Sequence, residues 1–431
     1  MMKSNKSASR NRWLIALASV GIHICIGSVY AWSVFSKPLQ SAFGWSLRET
    51  NFTFGLAIFT LGISAAIMGH VVERHGPRIS GFISTLFWCI GLLGSGFAVS
   101  ESPTVTEYRL PLLYLSYGIF GGIGLGTGYV TPVSTLIKWF PDRRGLATGM
   151  AIMGFGFASS LGAPIISTLI GQIGLSKTFY ALSGMYLLIM SISALYLAPP
   201  PKEWLPVNPA KLYKTRHQLV DLMPLDAHQA IRTIPFYGLW IMMFINITCG
   251  IAVISVASPM IQEMVGINAL LAAAIVGLNG LFNGLGRIFW ATISDWIGRP
   301  TTYVLFFSLE ITCFLALPNV TDILIFQVIL YLVMTCYGGG FSTLPAYIGD
   351  IFGTRQVSAI HGYVLTAWAL AGISGSSLAA FIRESTGSYS TMLQIFSGIF
   401  VLALIVSVLM LVFVRIKRRK ILSQHSALVS L

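Results

Sequence analysis

Apolar residues along this chain gather into runs of about twenty, and the polar and charged positions collect between the runs. A run of that length, mostly without charge, spans the hydrocarbon core of a bilayer as a single helix. Twelve such runs can be marked, at roughly 13–36, 52–72, 79–99, 111–136, 145–171 and 177–198, then 236–262, 270–294, 301–318, 322–348, 357–382 and 389–414. Between the sixth and seventh lies a polar, proline-punctuated stretch that reads as a linker, with a short surface helix expected at 219–232. The expected architecture is an all-α membrane protein of twelve transmembrane helices in two six-helix bundles, 1–198 and 236–431, joined by the linker 199–235. The basic stretch 1–12 precedes an apolar run too long for a signal-peptide core, so that run is expected to remain as the first span.

Composition agrees with the pattern. The 431 residues are 55% hydrophobic and 10% charged, with mean hydropathy +0.78. Soluble domains carry about a quarter of their residues as charges. The net charge of +13 would suit a nucleic-acid partner, but the basic residues sit in short loops between spans, and none is expected. With the N-terminus inside, 21 of the 27 Lys and Arg residues fall on that side. Five fall opposite (Lys37, Arg48, Arg109, Lys177, Arg383). The bias places both termini and the linker in the cytoplasm. The five cysteines, Cys25, Cys89, Cys249, Cys313 and Cys336, all lie within apolar runs with no metal-ligand spacing, so neither a metal nor a cofactor is expected.

The remaining basic residue, Arg287, stands inside the eighth run. Asn279, Asn283 and Arg287 recur at i, i+4 and i+8, on one helical face, with Gly280 and Gly284 beside them to let another backbone approach. Arginine keeps its proton, and placing it in hydrocarbon is costly. One fixed positive charge flanked by two amides suggests a buried site for a small anion. Snorkelling of the side chain to the headgroups is the alternative.

The two halves echo each other. Glu73-x-x-Gly76-x-Arg78 after the second run is matched by Asp295-x-x-Gly298-Arg299 after the eighth, and Gly128, Thr131, Phe140 and Arg143 meet Gly340, Thr343, Phe352 and Arg355. Internal symmetry of this kind is a transporter signature, with the site near the midplane between the halves. With two six-span halves and this repeated loop, the chain resembles the major facilitator superfamily. More narrowly, GSVYAWSVF at 27–35, KWFPDRRGLATG at 138–149, LFNGLGRIFWATISDWIGR at 281–299 and LPAYIGDIFG at 344–353 resemble the oxalate:formate antiporter family. The neighbouring proton-linked monocarboxylate carriers also place an arginine on span eight, preceded four residues earlier by Asp or Asn, a pattern that Asn283 and Arg287 match.

That resemblance implies a secondary transporter working by alternating access, a functional monomer and not an enzyme, in a bacterial inner membrane. Its substrate would be a small monocarboxylate such as lactate, pyruvate or formate, moved with a proton or against a counter-anion. It implies that Arg287 grips the carboxylate, helped by Asn283 and Tyr129, and that Tyr30, Trp32, Phe155, Tyr337 and Phe341 form an aromatic cage. Trp368, within HGYVLTAWALAGISG, stands where the oxalate carrier has a lysine, so a dianion would lack its second cation. His361 and Glu310 are the proton-coupling candidates, with His23 a further titratable group in the first span. Glu73, Arg74, Arg78, Asp295 and Arg299 are expected to make the charge contacts that hold one access state. Two rival readings are an oxalate:formate-type exchanger and a drug or solute efflux antiporter, the latter suggested by the small-residue run GFGFASSLGAP at 154–164. An intramembrane enzyme is disfavoured, since no H-E-x-x-H or G-x-S-x-G stands in a span.

Overall fold

A computed structural model describes residues 10–45, 47–201, 204, 222–267 and 269–429, and no strand occurs among them. The first span is α1 (Arg12–Gly27), continued through a 3₁₀ turn at Ser28–Ala31 into α2 (Ser33–Phe43). The second and third spans form α3 (Leu47–Ala98), broken at Gly76. The fourth is α4 (Arg109–Leu113), a π-helical stretch Tyr114–Gly121, and α5 (Gly122–Trp139). The fifth and sixth form α6 (Arg144–Tyr196), broken at Gly174. After the linker, with α7 (Ala227–Ala230), come α8 (Ile234–Val265), α9 (Ala269–Ile297), α10 (Arg299–Ala316) and α11 (Ile323–Phe352). The eleventh span is α12 (Val357–Val364) with α13 (Thr366–Thr386), and the twelfth is α14 (Tyr389–Val429). Ten of the described stretches are long and apolar enough to cross a membrane by length and composition.

Of the joints that are tighter than the apolar pattern suggested, two share one form. At Gly76 (φ 80°) the second span turns directly into the third, and at Gly298 (φ 87°) the eighth turns into the ninth. Nothing lies within 4 Å of a Cβ placed at either glycine, so the positive φ, and not crowding, requires it. A proline follows each break, Pro77 and Pro300, where its lost N–H belongs to a first helical turn and has no partner to lose.

The linker departs from expectation. Much of it lies outside the described residues, and the helix expected at 219–232 is reduced to the four-residue α7, capped by Asp226 and Gln229. The preceding residues do other work. The amides of Leu222, Met223 and Leu225 donate to the carbonyls of Asp350, Ile351 and Phe352, partnering the last turn of α11, which helix geometry leaves open.

The bundles meet along two seams of small residues. On one, a Cβ at Gly156 of α6 would lie 2.7 Å from Gly284 Cα of α9, and one at Gly145 would lie 2.2 Å from the Ala291 carbonyl. On the other, Gly62 and Gly69 of α3 face Ala369 and Ser358 equally closely. Bilayer lipid gives helices no hydrophobic reason to associate, so close backbone packing of this kind holds them together. The glycine run of the fourth span serves the same end inside its bundle, Gly124 lying against Trp88 and Gly126 against Leu61.

Candidate functional site

Between the two seams sits Arg287, with none of its surface exposed, so it does not snorkel. Its Nε donates to Asn283 Oδ1 at 3.2 Å, one turn earlier on α9, fulfilling the i, i+4 spacing. Its Nη1 crosses to the other bundle and donates to the Ile152 carbonyl of α6 at 3.1 Å. Its guanidinium lies 5.7 Å from the ring centre of Phe155 and 5.1 Å from that of Phe341, one ring from each bundle. Desolvated cation–π contacts contribute about 2 kcal/mol each and offset part of the cost of holding the charge out of water. The remaining nitrogen, Nη2, is buried and has no partner.

Around it the aromatics form a continuous cluster. Trp368 lies 4.8 Å from Phe341, 5.2 Å from Tyr129 and 5.6 Å from Phe155, centre to centre. Tyr30 stands 5.0 Å from Phe155, and Tyr337 stands 5.3 Å from Phe341. Tyr129, Tyr30 and Tyr337 are all electrostatic neighbours of Arg287. His361 joins through Tyr129, 5.8 Å away. Like Arg287 Nη2, the Tyr129 hydroxyl, Trp368 Nε1 and His361 Nε2 are buried without a hydrogen-bond partner. Buried polar groups are rarely left so. Groups able to donate, one of them cationic, thus cluster around Arg287, and no carboxylate stands among the described residues of the cluster.

Two residues fall elsewhere. Trp32 donates its Nε1 to the Thr50 carbonyl and packs 4.4 Å from Tyr117, inside the N-terminal bundle and away from the cage. It stands two positions from Tyr30, and neighbours two apart on a helix face different ways. Glu310 is 1% exposed, but its electrostatic neighbours are Cys249, Cys313 and Cys336 in the C-terminal bundle.

The loop charges form a symmetric pair of clasps at the terminus-bearing ends of the seams. Asp295 accepts from the amides of Gly145 (2.9 Å) and Leu146 (3.0 Å), capping the start of α6 from the opposite bundle. Arg299 holds it at 2.6 Å and reaches Asp350 at 3.3 Å. Glu73 does the equivalent at the start of α12, accepting from the Ser358 amide (3.0 Å) and hydroxyl, with Lys138 at 2.6 Å. Both use the partial positive charge of a helix N-terminus. Arg74 and Arg78 are exposed.

The comparisons with known proteins bear on this arrangement. The family model described as Major Facilitator Superfamily matches residues 17–376. The chain belongs to that superfamily. Among its relatives, the transporter YhjX of Escherichia coli is 27% identical over 84% of this chain and 86% of its own length. The oxalate:formate antiporter of Oxalobacter formigenes is likewise 27% identical, over 88% and 86%. Monocarboxylate transporter 12 of Xenopus laevis is 23% identical over 90% and 86%. Of solved structures, the proton:xylose symporter XylE aligns with TM-score 0.65 at 15% identity, over 91% of this chain and 94% of its own. The superfamily's twelve-helix architecture is thus the fold of this multi-pass membrane protein.

One residue of the site lay beyond the sequence reading. His23 was noted only as titratable, yet it lies 5.4 Å from Tyr129 and 6.4 Å from Phe155, ring to ring, with both ring nitrogens on backbone oxygens.

Proposed function

We propose that this superfamily member is a secondary active transporter of small monocarboxylate anions, working by alternating access and coupled to protons. The buried and unpartnered donors of the cluster around Arg287 carry the reading. A carboxylate is the complementary ligand, since it only accepts and its charge strengthens a hydrogen bond from a guanidinium. Arg287 Nη2 would bind one carboxylate oxygen, with Tyr129 and Trp368 completing the contacts and the aromatic walls excluding larger or better hydrated anions. The bundles 1–198 and 236–431 would rock about this site, with the linker 199–235 and both termini in the cytoplasm of a bacterial inner membrane.

Charge favours monocarboxylates over oxalate. Leaving a buried charge unpaired costs about 3–5 kcal/mol, two to three orders of magnitude in affinity. The cage holds one fixed cation, and Trp368 supplies a neutral N–H where the resembling oxalate carrier has a lysine. Uptake of labelled pyruvate, lactate, formate and oxalate into proteoliposomes tests the proposal, with and without a pH gradient and with internal counter-anion. Monocarboxylate uptake that oxalate fails to displace is expected. Oxalate competing at equal or lower concentration would overturn the selectivity, and no uptake of any of them would overturn the substrate class.

A further inference from the structure

His23 sits on α1 with none of its surface exposed, its ring against Tyr129 and Phe155 of the cage. Its Nδ1 meets the Ala151 carbonyl of α6, and its Nε2 meets the Tyr129 carbonyl of α5 at 3.2 Å. Carbonyl oxygens only accept. A neutral imidazole carries one N–H and one lone pair, so whichever tautomer forms, one ring nitrogen turns its lone pair on an oxygen. Only the imidazolium donates at both ends. The two oxygens therefore form a receptor for the protonated ring.

The charged and titratable groups facing the ring are Tyr129 of α5, Arg287 of α9 and His361 of α12. None of these is an acid that could hold the imidazolium, and Arg287 opposes it. Glu310, the acidic residue in mid-span, lies among its cysteines instead. Without an anion, a proton on His23 thus gains two hydrogen bonds but is opposed by burial and by a second buried cation. An anion on Arg287 removes the opposition of that cation. Proton and anion then favour each other's binding by the same factor, as linkage requires. The backbone adds a physical connection: Ala151, held by His23, and Ile152, held by Arg287, are consecutive carbonyls on one turn of α6.

We propose that His23 is the proton-binding residue of the transport cycle, taking up one proton as Arg287 takes up one carboxylate. This rests on the anion reading of the Arg287 site. The proton comes from water when the cage is open, adds to the ring nitrogen that carries the lone pair, and leaves to water on the other side after the anion has gone. His361, whose Nε2 is unpartnered, is left as a contact for the anion.

Purified full-length protein tests this with labelled pyruvate as the probe. Exchange at equal pH on both sides reports the anion site. Acid-driven uptake, and proton uptake on pyruvate binding in weakly buffered solution, report the coupling. His23→Gln is expected to retain exchange while the stimulation by external acid falls about tenfold, within the usual range of coupling between sites. Its proton uptake on binding should vanish, while His361→Gln keeps about one proton per anion. Exchange with unaltered proton uptake in His23→Gln overturns this proposal alone, whereas absence of exchange in the unsubstituted protein overturns the anion reading and this proposal with it. Should His23→Gln and His23→Asn both fail to fold, acetate and pyruvate are compared in the unsubstituted protein and in His361→Gln. A residue-borne proton gives one pH midpoint for both acids and survives in His361→Gln. A midpoint that follows the acid strength of the probe, or His361→Gln protein that binds pyruvate with no proton taken up, overturns the assignment.

Discussion

Arg287 has two guanidinium nitrogens held and one free. Asn283 and Ile152 hold two of its nitrogens and the rings of Phe155 and Phe341 flank its plane, so Nη2 is aimed before any ligand arrives. Arg287→Ala is expected to abolish uptake. Arg287→Lys should recover little, because an ammonium cannot hold Asn283, Ile152 and a carboxylate from one planar fork. Uptake above a few per cent in the lysine variant would show that charge alone suffices. Trp368 carries the complementary test. Trp368→Lys adds a second cation beside the first, and oxalate should then displace labelled pyruvate at concentrations about 10–100-fold lower than before. Unchanged competition would mean that the walls and not the charge count set selectivity. Much of this was legible beforehand, because Asn283 and Arg287 lie on one helix and helical spacing alone puts them together. His23 was not. Its partners are backbone carbonyls on two other helices, and no spacing along the chain announces a carbonyl.

At the scale of elements, the repeated loops are more than charged punctuation. Glu73 and Asp295 each cap a helix of the opposite bundle, so each clasp ties bundle to bundle at a helix start. Residue for residue, the motif repeat could be read from the chain, whereas the helix that each acid caps could not, since that pairing exists only between bundles. Asp295→Asn keeps one acceptor but loses the charge facing the α6 terminus and Arg299. Caps contribute about 0.5–2 kcal/mol and the dipole term about 0.3–1 kcal/mol. A loss of one or two kcal/mol changes a two-state ratio about 5–30-fold. A cysteine at Thr148, fully buried on the α6 seam, reads this out. Its labelling by a membrane-impermeant thiol reagent from the terminus-bearing side should rise about fivefold or more in Asp295→Asn. No rise would mean that the charge of Asp295 does not hold this seam shut.

Across the whole molecule, the same geometry fixes what must move. The cage is closed, its central side chains are buried, and the clasps join the bundles at the terminus-bearing face. An anion therefore reaches Arg287 only if the seams part at one end, and it leaves on the other side only if they part at the other. Opening toward the terminus-bearing face must break the contact between Glu73 and Ser358, which lie 285 positions apart in the chain. A disulfide placed there tests alternating access directly. All five native cysteines are buried, so a pair introduced as Glu73→Cys and Ser358→Cys has little competition for an oxidant. Replacing Glu73 also removes its clasp, so the reduced double variant serves as its own reference. Oxidised protein is expected to bind labelled pyruvate but to stop transporting it, and reductant should restore uptake to the reduced level. Binding retained with transport lost separates a locked carrier from an unfolded one. Undiminished uptake by fully cross-linked protein would mean that the anion crosses without these ends ever parting, and rocking of the two bundles about Arg287 would have to be abandoned.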